Sequence, residues 1–470
     1  MTERPLDRPL DRGLVPERRL PLWHAGIVFV VLTALYSAIS FQQYRQMNAF
    51  IFDLGFFESI VRDYATGHLP SLQVTDTTTA ALHFSPALAL LAPLVMVVSS
   101  PLTILFAQAV AVAAGVVPLM RAAGAGALAW VVAVSYGLAP GFGALIGFDF
   151  HEVALGVPII SLSMAAMLRA DHRAAVLWAL ALILVKEDLG LTIAALGVVV
   201  VLRGSRRWGA FAVVFGAVSF LVIQGWVLPA VNADPAGFAE KYAPAGPAEA
   251  LRILGEGLHS KVRTVLFLLI PTGLVALRSP LLLFVALPTF GWRFLSERQT
   301  YWDPWYQYDA ILVPIAVAAM IEGARLLHGR VRWAALGAAL VGTAALLPQP
   351  LLGFAQAWHV DFWHAPSRVA AVDRALDKIP DDSLVAASDD LGARIALRTE
   401  LYLVGDTIAP DGPPTPASAL DDVEWVAFDQ RWYVYPTPAW RGFARLLSTG
   451  DFIVVAQVDG VVVARRRPGE

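Results

Sequence analysis

"LIGFDFHEVALG", residues 145–156, decides how this chain is read. Its flanks suit the interior of a bilayer, yet Asp149, His151 and Glu152 arrive together. An uncompensated ionisable side chain at membrane depth costs several kcal/mol. The stretch is therefore a point where the chain leaves the hydrocarbon. Its charges either cap a helix at the membrane surface or belong to a site.

The rest of the sequence supports the membrane reading. Of 470 residues, 57% are hydrophobic and 16% charged, and the mean hydropathy is +0.61. Soluble domains carry about 25% charged residues. The apolar excess gathers in blocks of roughly 15–22 residues, the length that crosses a hydrocarbon core about 30 Å thick. There is no cysteine, so disulfides, thiolate metal sites and cysteine nucleophiles are excluded. A net charge of −3 and the lack of a basic tract give no sign of a nucleic-acid partner.

Residues 1–20 form an Arg-rich tail, with RPLD duplicated, before an apolar run that lacks a small-residue cleavage site; this predicts a retained first span with the tail in the cytoplasm. Spans are predicted at 22–41, 102–119, 127–146, 153–168, 174–186, 189–202, 208–228, 264–277, 281–292, 309–325 and 333–349. Alternating these eleven puts Arg121, "RADHR" (169–173), "RGSRR" (203–207), Arg278 and "HGRVR" (328–332) on the cytoplasmic side, as basic loops prefer. That parity requires that 86–98 does not cross fully.

The membrane domain is expected over 21–354, with a first outer loop at 42–100. In that loop Phe52, Phe56, Ile60 and Tyr64 recur every four residues, the period of an amphipathic surface helix. From 355 the texture changes. Acidic residues outnumber basic ones 17 to 11, and apolar runs shorten to strand length in "SLVAAS", "ELYLVG", "VEWVAFD", "FIVVAQV" and "GVVVARR". "PDGPPTP" marks a loop. Residues 355–470 are thus read as a small α/β domain outside the membrane.

The unusual polar groups fall on one predicted face: Asp53, Glu58 and His83 in the first outer loop, Asp149, His151 and Glu152 in the second, Lys186, Glu187 and Asp188 in the third. A fourth loop spans 229–263. The fifth, "WRFLSERQTYWDPWYQYD" (292–309), is dense in Arg, Trp and Tyr. Each has a bland reading. Asp149-x-x-Glu152 is close to a capping box, "KEDLG" is an interfacial turn with a snorkelling Lys, Asp53 is a solvated charge, and the aromatics form an interfacial belt. Capping does not explain His151, and four loops rich in acid/base groups on one side favour a site. A carboxylate near a hydroxyl is a general base, Asp, His and Glu together can hold a divalent cation, and Lys or Arg neutralises a phosphate. No Gly-rich phosphate loop, HExxH or GxSxG occurs.

"FDLGFFES", "HFSP", "FDFHE", "KEDLG", "YQYDAILVP" and "IPDDSLVAASDDLGARIALRTELYLV" resemble a bacterial predicted-membrane-protein family of unknown function within the GT-C superfamily of polyprenyl-phosphate-dependent membrane glycosyltransferases. The resemblance implies a GT-C-like helical membrane domain and an inverting transferase of the bacterial cytoplasmic membrane. The sugar donor would be a polyprenyl phosphate and the acceptor an envelope glycan, lipid or protein. It matches Asp53 to the superfamily's catalytic acid, although Leu54 stands where a second acid is common, leaving Glu58 or Asp149 to complete the pair. Asp149, His151, Glu152 and His83 become candidates for a divalent cation. Lys186, Arg293 and Arg298 are candidates for the donor phosphate, and Glu187, Asp188, Tyr301, Trp305, Tyr306 and Tyr308 for substrate. The alternative class is a transporter or flippase for a lipid-linked or anionic solute, favoured by "KEDLG" between two half-length helices but by no repeat among the spans.

Overall fold

A computed structural model describes residues 19–68, 70, 83–231, 244, 246–350, 352–403, 422–431, 443–444 and 447–468. The tail before residue 19, residues 232–243 of the expected fourth outer loop and the "PDGPPTP" loop lie outside the described residues.

The first apolar run forms α1 (Leu22–Arg45). Ile27, Val30 and Val31 face outward. Two of its hydroxyls bond inward: Tyr36 donates to Gly137 O (2.8 Å) and Ser40 to Ile146 O (3.0 Å). A spanning helix has no water for such groups, so they bond to neighbouring helices. There follow α2 (Phe56–Ala65), α3 (Ala92–Val97), α4 (Pro101–Ala114), α5 (Val116–Ala123), α6 (Ala127–Gly137), α7 (Pro140–Ile146), α8 (Val153–Met167), α9 (His172–Leu180), α10 (Leu189–Leu202) and α11 (Arg206–Val222). In the α10/α11 pair, a Cβ on Gly197 would lie 2.6 Å from Val213 N, so small residues let the two backbones touch.

Among the described residues three helices are long and apolar enough to cross a bilayer: Leu22–Arg45, Pro101–Ala123 and Arg206–Ala230. The pair α6 and α7 makes a fourth, bent by 41°. The stretch Pro86–Val97 is one of four shorter apolar helices among the described residues, with Val153–Met167, His172–Leu184 and Leu189–Leu202. The spans expected as single runs at 264–277 and 281–292 are broken into Leu258–Leu269, the turns Ile270–Thr272 and Val275–Arg278, Pro280–Phe284 and Leu287–Leu295. Pro271 and Pro280 interrupt the hydrogen-bond ladder, and Gly273 and Leu274 both take positive φ. Val313–Arg325 and Gly329–Leu346 complete the bundle.

Beyond it, the five predicted strand segments form β1 (Leu384–Ala387), β2 (Glu400–Leu403), β3 (Trp425–Asp429), β4 (Phe452–Val458) and β5 (Val461–Arg466), in the order β2-β1-β3-β5-β4. β1 runs parallel to β2 and β3, while β5 is antiparallel to both β3 and β4. Every residue of β3 is buried, as a strand covered on both faces requires. Asp459-Gly460, both at positive φ, close the β4–β5 hairpin.

The outer domain is not a separate bead. Met47 and Ile51 of the first outer loop belong to its core with Val385, Leu391 and Trp425. Gln42 donates to Phe362 O (2.6 Å). At Gly147 the second outer turn meets the entry to this domain so closely that a Cβ would lie 2.3 Å from Gly353 Cα. Gly147→Ala is therefore expected to destabilise by about 1–3 kcal/mol, since backbone cannot yield as a side chain does. A thermal melt unchanged from that of the parent protein would show that the contact is slack.

Candidate active site

The geometry starts at residues 51–55, a π-turn leading into α2. Gly55 N–H bonds back to Phe50 O (3.0 Å). The first N–H groups of any helix lack partners within it. Here two carboxylates from far away supply acceptors: Asp149 Oδ2 takes Phe50 N–H (2.8 Å), and Asp389 Oδ1 takes Ile51 N–H (2.7 Å) and Phe52 N–H (3.3 Å). Asp53 projects from the turn with 24% of its side chain exposed.

His151 Nε2 lies 3.1 Å from Asp53 Oδ1. Its backbone N–H donates to Gln108 Oε1 (2.9 Å), and the same amide donates to Asp149 O (3.0 Å), so one buried glutamine of α4 clamps the loop. The ring stacks on Phe148 and meets Phe57 edge-on. Nδ1 is buried without a hydrogen-bond partner among the described residues, which places the proton on Nε2, donating to Asp53. Burial, and then the charge of Asp53, push Asp149 well above the usual carboxylate range. Burial thus disfavours the charged form of Asp149, while Asp53 stays partly exposed to solvent.

Several expectations change. Glu58, expected beside Asp53 as a catalytic acid, is completely buried with no hydrogen-bond partner for either oxygen among the described residues. Burial, then Asp149, raise its pKa well above normal, and it sits away from solvent. The polar side of α2 was expected in water. It is instead covered by the outer domain, where Arg62 bonds Thr399 O. Neither Asp149 nor Glu152 caps α8, whose start has no side-chain cap bond. Asp149 holds the start of a different helical segment.

The four expected cation ligands do not converge as one set. His83 Nδ1 meets Glu187 (2.8 Å), Glu152 pairs with Lys186 (2.8 Å), His151 faces Asp53, and Asp149 holds Phe50. No group of three or more His, Asp or Glu side chains among the described residues is placed to hold a metal ion. Burial opposes the charge of Glu152, but Lys186, His83 and His151 outweigh it and hold Glu152 down at about 2. Burial lifts Asp188 to about 6. Glu187 also accepts Phe84 N–H (3.0 Å) and so locks the end of the first outer loop to the third.

Arg293 is not exposed to any lipid phosphate. It has no solvent-accessible surface, and its guanidinium is spent on Asp309, Tyr301 O (2.8 Å) and Asp303 O (3.2 Å). Arg298 is exposed and bonds the Tyr301 hydroxyl (3.2 Å). Tyr306 packs edge-on against Phe148, beside His151, and Tyr308 lies within electrostatic reach of Lys186, Asp53 and Arg298. Trp305 stands apart, against Phe267 and under Arg263. The first, second, third and fifth loops thus meet around Asp53.

Two residues of this arrangement went unmarked in the sequence. Gln108 had a signal, a lone amide in the apolar "LFAQAVAV". Asp389 had none beyond "SDDLG", an ordinary-looking turn in the other domain. Its neighbour Asp390 is also buried. Ser388 Oγ donates to Asp390 Oδ1 (2.8 Å), and Arg368 pairs with the adjacent Asp429. Burial raises Asp390 to about 7. A raised carboxyl binds its proton more tightly folded than unfolded, so its cost is absent below about pH 4 and grows until pH 7. Asp390→Asn, which mimics the protonated form, is expected to stabilise the outer domain at pH 8 by at most about 4 kcal/mol and to do nothing at pH 4. Melting curves at the two pH values would refute this by an equal shift at both.

Fold and arrangement together describe a helical membrane protein whose loops at one end meet a C-terminal α/β domain around a cluster of acidic and aromatic side chains. The family described as "Predicted membrane protein (DUF2079)" matches residues 43–463, and the chain belongs to it. Among solved structures the chain is similar to ArnT from Cupriavidus metallidurans in the apo state, with 17% identity and a TM-score of 0.51, over 94% of this chain and 99% of that one. The two share a fold. No curated protein matches this chain.

Proposed function

We propose that the chain is an inverting glycosyltransferase of the bacterial cytoplasmic membrane. It moves one sugar from a polyprenyl-phosphate donor to a hydroxyl of an envelope glycan, lipid or protein outside the cytoplasm. About eleven crossings, several of them broken, put the N-terminus inside and the outer domain outside. The ArnT-like fold supports a membrane glycosyltransferase of the GT-C type with a lipid-linked donor. The observation that carries the chemistry is Asp53, partly exposed, bonded to His151 and backed by Asp149.

In this reading Asp53 removes the acceptor proton as the acceptor oxygen attacks the anomeric carbon. The bond from that carbon to the phosphate oxygen breaks, and the polyprenyl phosphate leaves with the electron pair. His151 keeps the Asp53 carboxylate in line through its Nε2 proton. Arg298 faces the departing phosphate, while Tyr306 and Tyr308 offer faces and hydroxyls to the sugar. The full chain in lipid nanodiscs, supplied with a panel of polyprenyl-phosphate sugars and envelope lipids, should release polyprenyl phosphate. If no donor is consumed and proteoliposomes instead move the intact lipid across the bilayer, the transferase reading is wrong.

A further inference from the structure

The turn that bears Asp53 is held from two sides, and one of them is the outer domain. Asp389 accepts the N–H groups of Ile51 and Phe52, residues more than 300 positions earlier in the chain. These contacts reach backbone, so they fix the path of the turn itself. A π-turn depends on such outside partners, because its i→i+5 bonds leave the entry N–H groups unmet. Asp389 is itself firmly placed. It opens the single turn Asp389–Gly392 after β1, and Ser388 N–H bonds Ala427 O of β3 (2.8 Å).

The contacts around this bond make it specific. Ile51 has no exposed surface and inserts beside Gly392, where any Cβ would lie 2.0 Å from Ile51 Cδ1. Gly55 packs against Ala393 with ordinary contact, where a Cβ would lie 3.4 Å from Ala393 Cα. Arg394 donates to Tyr44 O (3.1 Å) and covers the Tyr44 ring, and Arg62 reaches Thr399 O. Residues 389–399 therefore clasp 44–62 along its length, with Asp389 opposite the residues next to Asp53. Asp389 also lies close enough to Asp149 to add to the upward push on its pKa.

From this juxtaposition we infer that Asp389 is a positioning residue: through it the outer domain sets the aim of Asp53. The inference rests on the transferase reading for its effect on turnover, and on geometry alone for its effect on the turn. Loss of this carboxylate leaves Ile51 and Phe52 N–H buried without acceptors and frees the turn to relax toward an ordinary helix start. Misplacing a reacting group by about 1 Å costs about 10²-fold in rate.

The experiment compares the full chain with Asp389→Ala and Asp389→Asn in nanodiscs, reading transfer kinetics and amide hydrogen exchange together. Asp389→Ala should lower kcat about 10²-fold with the donor KM unchanged, because no donor contact is removed. Asp389→Asn, whose amide oxygen still accepts both bonds, should stay within about tenfold of the parent protein. Exchange in the peptide covering 50–57 should quicken by about tenfold or more in Asp389→Ala, while peptides of β1 and β3 keep their protection. Unchanged exchange at 50–57 overturns the inference, as does a loss of protection throughout the outer domain. If the parent protein transfers no sugar, the functional reading fails, and exchange at 50–57 alone decides whether Asp389 holds the turn.

Discussion

Asp53→Asn is expected to lower kcat by about 10³-fold or more while leaving the melting temperature nearly unchanged, since a positioned general base contributes about 10²–10⁴-fold. The substitution keeps shape and leaves an amide oxygen for His151 Nε2 to bond, so the loop 147–152 has no reason to move. What disappears is the basic oxygen. Asp149 cannot replace it, because it is buried and already committed to Phe50 N–H. Glu58 cannot, because no part of it meets solvent. The measurement is release of polyprenyl phosphate by matched amounts of folded protein, with melting followed alongside. A variant within about tenfold of the parent protein would move the base elsewhere, since that loss is smaller than any positioned base supplies.

Much of the fold was legible because a bilayer imposes length and polarity on each segment. Apolar runs of the right size gave α1, α4 with α5, and α11, and apolar runs of strand length punctuated by Pro and Gly gave the strands from residue 384 onward. The broken pieces between 258 and 295 were less legible: hydropathy reports burial in lipid, not the loss of a helical hydrogen bond at Pro271 or a positive φ at Leu274. At the site, residue type and side of the membrane singled out Asp53, Asp149 and His151, because charges there need a reason. Partners were not legible. Asp149 looked like the cap of the helix that follows it, yet it serves a turn almost a hundred residues earlier. Lys186 looked available, yet Glu152 sits 2.8 Å away. Pattern along the chain reveals which groups are costly to bury, whereas the choice of which opposite charge meets them is made by packing across loops.

Arg293 shows how that distinction is tested. Sequence made it a phosphate ligand, and its surroundings make it a buried strut within the fifth loop, tying Tyr301 O to Asp309. Arg293→Met should destabilise by about 3–5 kcal/mol, because it strands the Asp309 carboxylate and two backbone carbonyls without their donor. Loss of activity in that variant alone would not separate the two roles. Arg293→Met combined with Asp309→Leu does. Replacing a whole buried pair by apolar residues of similar volume is often neutral, so the double variant should recover most of the lost stability. As a strut, Arg293 is dispensable once the pair is gone, and the double variant should regain transfer along with its melting temperature. A phosphate ligand would be missed regardless, leaving a folded protein with a raised donor KM and little turnover. Thermal melts and donor titrations on the parent protein and the two variants settle the matter: recovery of the fold without recovery of donor affinity returns Arg293 to the phosphate, and joint recovery leaves the exposed Arg298 to meet it.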